Sequence, residues 1–311
     1  MKRILVLAAA AAALAAPALA QGNAPFVVKE TGQGFGSLQQ ALDAIGDGNA
    51  TLVIAPGRYR QCGVQKAGDV AFVAAQPGTA IFDGVACEGK AALVLAGRKS
   101  RVEGLVFQNI RVPDANGAGI RMESGNLVVR ETMFRNSESG ILSAADPGSS
   151  ILVEQSTFSG LGRCDRGLSC AHSIYIGDYG ALTVRRSRFE RGRGGHYVKS
   201  RTPRVEVTDS SFDDTAGHTT NYMIDLPAGS TGLIARNVFV QGRDKENYSG
   251  LIVVGAEDIK HSAAGLRIEG NDASLAPGVE HGTTFLVDYT GDRLRLGANR
   301  LGPRIARFEK R

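Results

Sequence analysis

A phenylalanine recurs in a repeated unit along most of the chain, where it follows a strand of alternating apolar and polar residues and a polar turn. The clearest copies lie at Phe107, Phe134, Phe158, Phe189, Phe212 and Phe239, and their intervals are 27, 24, 31, 23 and 27 residues. A period of this length without helical patterns between the strands is typical of a solenoid. We therefore predict a coil of stacked turns in which the phenylalanines form an internal ladder.

A β-sandwich is the alternative all-β fold, since it is also built from short alternating strands, about 8–12 residues apart. The period here groups strands in sets, which favours the solenoid. Weaker copies of the unit at residues 266–271 and 294–299 extend the period towards the C-terminus. A helical bundle is disfavoured, because the chain has 40 glycines, no tryptophan and few long apolar runs.

Residues 37–45, SLQQALDAI, predict one helix, because their apolar residues recur at i, i+3, i+4 and i+7. We expect Ser37 to cap its first turn, with Gln40 completing a capping box, and Gly46 to end it. The helix precedes the first strand of the coil. It is suited to cover the end of the coil, where backbone and apolar core would otherwise be exposed.

Residues 1–20 read as a targeting segment, with a basic start, an apolar run over residues 4–16 and small residues before Gln21. The run is shorter than the ~18 residues of a membrane span, and we expect no membrane insertion. We divide the chain into this segment, an N-terminal segment with the capping helix over residues 21–50, and the coil over residues 51–311. The expected location is periplasmic or extracellular.

Loss of the targeting segment lowers the formal net charge from +5 to +3, so the overall charge is weak. We expect a monomer with no nucleic-acid partner. Export permits disulfides. Cys62 and Cys87 lie 25 residues apart, about one turn of the coil, and Cys164 and Cys170 lie in one polar loop. Two disulfides are therefore expected, the alternative being four free buried thiols.

Residues 37–61, 79–84 and 104–109 resemble the opening of the right-handed parallel β-helix proteins of the pectate lyase-like superfamily. That superfamily includes pectin methylesterases, polygalacturonases, polysaccharide lyases and alginate C5-epimerases. The resemblance implies an all-β, single-domain right-handed parallel β-helix with a short N-terminal capping helix. The catalytic motifs of the esterases, polygalacturonases and epimerases are missing here, and the fold alone does not fix the function.

The candidate site lies where three segments, residues 172–177, 195–201 and 221–227, are expected to stack as neighbouring turns. The middle one belongs to residues 185–204, which hold eight Lys or Arg residues and one acid, and we expect a single basic surface there. Aligning Ile174, Val198 and Ile224 places the next residues, Tyr175, Lys199 and Asp225, in an outward column with ~4.8 Å between turns. The residues that strand parity directs outward are Ser173, Tyr175, Tyr197, Lys199, Arg201, Met223 and Asp225. The directions of His172 and His196 stay open.

Several polysaccharide lyases that this chain resembles use a lysine base with a nearby arginine to remove the C5 proton of a uronic acid. The resemblance implies that Arg201 binds the substrate carboxylate, that Lys199 or His196 takes the proton and that Tyr175 protonates the leaving oxygen. An acidic polysaccharide is then the expected partner. The residues expected to bind it are His172, Arg193, Tyr197, Tyr222 and Asp225.

Each of these residues also has a structural interpretation: a Lys199–Asp225 ion pair, hydrogen-bonded histidines at strand starts and a solvated arginine-rich turn. The functional alternatives are a glycan-binding or envelope-associated β-helix protein, an epimerase, and a glycoside hydrolase in which Asp225 acts with Asp213 or Asp214. No cofactor is required by the pattern, although the adjacent Glu257 and Asp258 could contribute a carboxylate or bind calcium. The loop over residues 160–171 is expected to form one wall of the site.

Overall fold

The computed structural model describes residues 24–311, so the targeting segment predicted for residues 1–20 lies outside the described part. The N-terminal segment forms the strands β1 (Phe26–Val28) and β2 (Gly34–Phe35), then the helix α1 (Leu38–Ile45), then the strand β3 (Asn49–Ile54). Strand β1 pairs antiparallel with both β2 and β3. In the described part of the chain, no helix is long and apolar enough to cross a membrane.

From β3 onwards the chain winds as a parallel coil. The next strands are β4 (Gly57–Tyr59), β5 (Gly63–Gln65), β6 (Asp69–Ala74), β7 (Ala80–Asp83), β8 (Ala91–Leu95), β9 (Lys99–Glu103), β10 (Leu105–Gln108), β11 (Ala118–Met122), β12 (Asn126–Arg130), β13 (Met133–Arg135), β14 (Ser139–Ser143), β15 (Asp146–Glu154), β16 (Thr157–Ser159) and β17 (Ile174–Ile176). They are followed by β18 (Tyr179–Arg185), β19 (Arg188–Glu190), β20 (Val198–Ser200), β21 (Arg204–Thr208), β22 (Ser211–Asp213), β23 (Ile224–Leu226), β24 (Thr231–Ala235), β25 (Val238–Gln241), β26 (Ile252–Val254), β27 (Arg267–Glu269), β28 (Asp272–Leu275), β29 (Thr283–Asp288), β30 (Arg295–Leu296), β31 (Arg300–Leu301) and β32 (Ile305–Lys310).

Every third strand of the coil joins the same sheet. The first sheet contains β1, β2 and the series from β3 to β30, the second runs from β4 to β31, and the third from β5 to β32. Within the coil, all neighbouring strands of a sheet are parallel and belong to successive turns. The predicted all-β parallel coil with one short helix is therefore confirmed.

The core of the coil contains the predicted aromatic ladder. The rings of Phe107, Phe134, Phe158, Phe189, Phe212 and Phe239 are fully buried and stack one above another on the second sheet. Their centroids lie 4.8–5.3 Å apart, close to the spacing of strands in a sheet. The ladder fixes the register of the turns, because a slip of one residue would turn every ring to the other face.

Helix α1 covers the N-terminal end of this core with its buried apolar stripe. Gly46 ends the helix as predicted, with a φ of 57° and an N–H that donates to Leu42 O at 3.0 Å. The predicted capping box is wrong, since the Ser37 side chain makes no capping hydrogen bond. The Gln61 side chain replaces it, because its Oε1 accepts from Leu38 N at 3.0 Å. The acceptor therefore comes from the first turn of the coil.

Both predicted disulfides are present, Cys62–Cys87 and Cys164–Cys170. The prediction of a single basic surface over residues 185–204 is wrong. This segment passes from β18 through β19 and β20 to β21, so it crosses all three sheets and directs its cations to different faces. Four of its arginines are also paired with acids, in the pairs Arg185–Glu206, Arg186–Glu154, Arg188–Glu190 and Arg201–Glu257.

Candidate functional site

The third sheet carries a column of polar side chains on its outer face. Strands β17, β20 and β23 place Tyr175 beside Lys199 and Lys199 beside Asp225 in register. Ile174, Val198 and Ile224, one residue earlier in each strand, point into the core and are fully buried. Strand alternation and burial of the isoleucine and valine side chains thus orient the column as the sequence predicted.

A network of ion pairs covers this column. The Lys199 Nζ lies 3.4 Å from Asp225 Oδ2 and 2.5 Å from Glu257 Oε1. The other oxygen of Glu257 accepts a hydrogen bond from Arg201 Nη2, and Arg201 Nε donates to Tyr175 Oη at 2.9 Å. One carboxylate therefore bridges two cations beside a phenol. We call these five residues, Tyr175, Lys199, Arg201, Asp225 and Glu257, the site cluster.

The exposure of the site cluster decreases from Glu257 to Asp225. The Glu257 side chain is 42% exposed, that of Lys199 10% and that of Asp225 3%. Glu257 lies in the loop that follows β26, where its backbone N–H donates to Pro227 O at 3.2 Å. The accessible members are therefore Tyr175, Arg201 and Glu257, with the Lys199 ammonium directly beneath.

Two buried imidazoles flank the cluster. His172 stacks on His196 with 4.9 Å between ring centroids, and His196 stacks on Tyr222 at 5.2 Å. The turn before His196 depends on Gly195, because a Cβ there would lie 2.1 Å from Ala171 O. Its φ of 61° is also one that glycine adopts readily.

The hydrogen bond between the two histidines fixes one tautomer. His196 N donates to His172 Nδ1 at 3.0 Å, so Nδ1 is an acceptor and a neutral His172 carries its proton on Nε2. Burial, reinforced by the nearby Lys199, lowers the pKa of His172 to about 3. His172 is therefore a neutral N–H donor at ordinary pH, next to the ring of Tyr175 with 5.4 Å between centroids.

The second imidazole contacts the deepest carboxylate. His196 Nε2 lies 3.4 Å from Asp225 Oδ2, and burial lowers the pKa of His196 well below its usual value. Burial also raises the pKa of Asp225 to about 6, although Lys199 opposes this shift. The predicted role of His196 as a base is weakened by this geometry, because the ring is buried and one nitrogen faces Asp225.

Asp225 and Glu257 differ in acidity although both contact Lys199. Burial raises the pKa of Glu257, but hydrogen bonds from Lys199 and Arg201 outweigh burial and lower it overall. Divergent pKa values in a pair of nearby carboxyl groups separate an acid from a base or an anion. The arrangement can thus hold an anionic group, donate protons and accept protons within one small area.

Tyr197 was predicted to point outward, and this prediction is wrong. Its ring is 1% exposed, its hydroxyl donates to Asp214 Oδ1 at 2.7 Å, and it packs against Phe189 and Phe212. Met223, also predicted outward, is fully buried. Both residues precede the first residue of their strand, where the chain bends and strand alternation does not apply.

The acids considered for hydrolysis do not join the site cluster. Asp214 is fully buried, where it accepts hydrogen bonds from Tyr197 and Thr220 and pairs with Lys245 at 3.4 Å. Asp213 ends β22, which belongs to the second sheet. Neither carboxylate can act with Asp225 on the third sheet.

Of the other residues predicted to bind the ligand, Tyr222 lies beside the cluster and Arg193 does not. Tyr222 is half-buried against His196, and its hydroxyl accepts from Asn247 Nδ2 at 2.9 Å. Arg193 lies away from the column, at the corner of the coil beside Gly160. Ser173, which strand parity directs outward, is buried, with 2% exposure.

Neither acid of the Glu257–Asp258 pair is arranged as a calcium ligand. Both oxygens of Glu257 accept hydrogen bonds from cations, and Asp258 is exposed, with its carboxylate 4.0 Å from Lys260 Nζ. Within residues 24–311, one group of three potential ligand residues is close enough to share an ion: Cys164, Cys170 and Glu246. Its sulfurs form a disulfide and cannot bind metal as thiolates.

The sequence marks Glu257 only as one of two adjacent acids and gives it no role in the column. The signal that could have found it is its position one turn after Asp225, immediately after the apolar run of β26.

Comparison with known families gives one match, to a family described as right-handed β-helix region, over residues 87–279. This range includes every residue of the site cluster. No curated protein is similar enough to count as a match.

Proposed function

The chain belongs to the right-handed β-helix family, and on this premise we propose that it is a polysaccharide lyase acting on an acidic, uronic acid-containing polysaccharide. The observation that carries the proposal is the bridging of Glu257 by Lys199 and Arg201 beside Tyr175. Two cations that hold one carboxylate on an outer face form a receptor that suits the carboxylate of a uronic acid.

The two positions that directly flank the column in the outer row support a ligand-binding role for this part of the sheet. Leu142 precedes Tyr175 in the row, and Val253 follows Asp225. Polar and charged side chains thus replace apolar ones over three successive turns. Because partly buried charges are costly, a cluster of them with shifted pKa values is more often functional than a random polar patch.

The proposed reaction is a β-elimination. The substrate carboxylate displaces Glu257 from Lys199 and Arg201, and these cations then stabilise the charge that develops on the carboxylate when the C5 proton leaves. The phenolate form of Tyr175, whose Oη accepts a hydrogen bond from Arg201, takes the C5 proton and becomes the neutral phenol. The electron pair of the C5–H bond forms the C4=C5 double bond, the C4–O4 bond breaks, and O4 takes the proton from Tyr175. His172 Nε2–H can donate to a sugar oxygen at the same place.

The experiment is incubation of the protein with alginate, pectate and glycosaminoglycans while the ultraviolet absorbance of the new double bond is followed. We expect product from at least one polymer, and loss of product in Tyr175→Phe. Tyr289→Phe is a matched control, because Tyr289 also accepts a hydrogen bond from an arginine, Arg311, at 2.8 Å, but outside the site cluster. No product from any of these polymers, with folded protein, contradicts the lyase. Retention on the polymers without product then favours a glycan-binding protein.

A hydrolase is the second candidate, and the different acidities of Asp225 and Glu257 favour it. Both carboxylates contact the same ammonium, at 3.4 and 2.5 Å, which is compatible with the ~5–5.5 Å separation of retaining glycosidases. In that reaction Asp225 acts as the acid and Glu257 as the nucleophile. New reducing ends without ultraviolet absorbance would identify a hydrolase, and a changed uronic acid composition without cleavage would identify an epimerase.

We also propose that the protein works outside the cytoplasm. Two disulfides support this location, because disulfides persist in oxidising compartments. Fusion of residues 1–20 to a reporter that is active only after export tests the proposal. Cytoplasmic retention of the reporter would count against it.

A further inference from the structure

A pocket of about 220 Å³ lies at the corner of the coil, between the disulfide-closed loop and the turn that follows β10. Its lining is strongly basic and includes Arg111, Arg163, Cys164, Asp165, Arg193 and Thr219. None of these residues belongs to the site cluster. The pocket therefore needs its own explanation.

Two of the three arginines in this pocket have uncompensated charge. Arg163 is buried, donates from Nε to Asp165 and from Nη1 to Ser169 O at 2.9 Å, and so has internal partners. Arg111 and Arg193 are exposed, and within residues 24–311 neither side chain makes an ion pair or a hydrogen bond. Two guanidinium groups that line one concave surface repel each other unless an anion lies between them.

The walls of the pocket are held in place by one buried acid. The side chain of Glu138 is 0% exposed. Its Oε2 accepts from Val112 N and Gly117 N at 3.0 and 2.8 Å, and its Oε1 accepts from Arg166 at 2.5 Å. Glu138 thus ties the turn that carries Arg111 to the loop opposite. Such ordering before a ligand binds reduces the entropic cost of binding.

The same loop packs against the turn that leads into the site cluster. Gly195 N donates to Cys164 Sγ at 3.2 Å, and Gly162 lies so close to Gly194 that a Cβ would approach Gly194 O to 2.0 Å. His196 follows directly, and β20 with Lys199 comes two residues later. A polymer that lies over the third sheet can therefore continue around this corner to the pocket.

We infer that the corner pocket between Arg111 and Arg193 is a second subsite, which binds the carboxylate or sulfate group of a sugar unit some distance along the same polysaccharide from the site cluster. The inference rests on the proposed function for its polysaccharide substrate. Guanidinium groups bind both oxyanions through paired N–H donors, which explains arginine rather than lysine at these positions. The subsite would select for anionic substituents beyond the unit that reacts.

The test compares Arg111→Gln/Arg193→Gln with Arg204→Gln, a single exposed arginine on the first sheet. Binding of a carboxylated and of a sulfated oligosaccharide series is measured by calorimetry, with uncharged dextran oligosaccharides as the negative probe. Loss of each arginine is expected to weaken binding of a charged oligosaccharide about tenfold, because a hydrogen-bonding partner with opposite charge is removed. We expect this loss and a smaller salt dependence in the double variant, and wild-type binding in Arg204→Gln. The preferred series identifies the anion.

Chain length separates this inference from the proposed function. The double variant should bind oligosaccharides too short to reach the corner as the wild type does, and should lose affinity only for longer ones. Equal affinity of wild type and double variant for all lengths overturns the subsite. If neither protein yields product while the double variant still binds long anionic chains more weakly, the lyase proposal fails and the subsite stands. Thermal melting checks that the double variant is folded.

Discussion

Lys199 and Glu257 are 58 residues apart in the chain, yet the ammonium and the carboxylate lie 2.5 Å from each other. The coil makes this contact possible, because Glu257 follows the strand two turns after β20 in the third sheet. The side chain of Glu257 reaches back over Asp225 to Lys199 and Arg201. It occupies the place that a substrate carboxylate takes in the proposed reaction.

The first prediction concerns this internal carboxylate. Glu257→Gln should lower the KM for an acidic polysaccharide about three- to tenfold, because the substrate no longer competes with a charged partner for Lys199 and Arg201. The measurement is the initial rate of double-bond formation at several substrate concentrations. Asp258→Asn serves as the control, because Asp258 is a neighbouring exposed acid that contacts neither Lys199 nor Arg201. Complete loss of turnover in Glu257→Gln would instead place Glu257 in the chemistry, as the hydrolase requires.

The second prediction concerns pH and His172. The unfolded chain protonates this imidazole below about pH 6.5, whereas the folded state keeps it neutral down to a pKa of about 3. The unfolded state therefore binds more protons between these values, and the free energy of unfolding falls as pH drops through this window. His172→Gln should reduce that slope by up to ~1.4 kcal/mol per pH unit. Urea titrations of both proteins at pH 7, 6 and 5 measure it.

Asp225 contributes to the pH dependence with the opposite sign. Its pKa of about 6 lies above the unfolded value of ~3.9, so the folded state binds more protons between these values and stability falls as pH rises through them. The comparison of His172→Gln with the wild type isolates the histidine, since Asp225 is present in both. Identical slopes in the two proteins would show that folding does not lower the pKa of His172.

The third prediction concerns the ion pair in the core. The side chains of Lys245 and Asp214 are both 0% exposed, with Nζ 3.4 Å from Oδ2. Lys245→Ala should lower the free energy of unfolding by ~3–5 kcal/mol, because it leaves a buried carboxylate without its cation. Chemical denaturation measures the change. Lys260→Ala is the control, since Lys260 is exposed and 4.0 Å from Asp258, and a similar loss in both variants would contradict the explanation.

The fourth prediction concerns the two disulfides. Cys164→Ser/Cys170→Ser should lower the melting temperature by only a few degrees, because a small ring restricts the unfolded chain by ~2–3 kcal/mol at most and Arg166 still ties the loop to Glu138. It should weaken glycan binding, since Cys164 lines the corner pocket. Cys62→Ser/Cys87→Ser opens a longer loop away from that pocket. It should therefore lower the melting temperature more and leave glycan binding unchanged. Unfolding of the first variant without a specific binding defect would make the loop purely structural.

The coil and the column were predicted correctly because both have a period. The phenylalanine ladder follows from a repeat of 23–31 residues, and the column of Tyr175, Lys199 and Asp225 follows from strand alternation within that repeat. Tyr197 points inward although strand alternation predicts an outward side chain, because the chain bends just before β20. Nothing periodic marks such a bend.

The remaining errors come from contacts that no local pattern encodes. Gln61 replaces the predicted cap of α1 from a neighbouring turn, and Glu257 reaches Lys199 from a loop. Residues 185–204 looked like one basic surface because they are contiguous, but a segment of that length passes almost once around the coil. In a solenoid, charged residues that are contiguous in sequence point to different faces. Charged residues that are one turn apart in sequence lie on the same face.

The phenylalanine ladder has a consequence for how such a chain changes length in evolution. Within the ladder, each ring stacks on the rings of the turns above and below it, so a duplicated or deleted turn meets the same kind of neighbour on both sides. Loss of the turn formed by β10, β11 and β12 would bring Phe82 against Phe134 and shorten the molecule without separating Tyr175, Lys199 and Asp225. Loss of the turn that carries β20 would remove Lys199 and join Tyr175 directly to Asp225. Variation in the number of turns is therefore expected among relatives on either side of residues 172–257, and not within them.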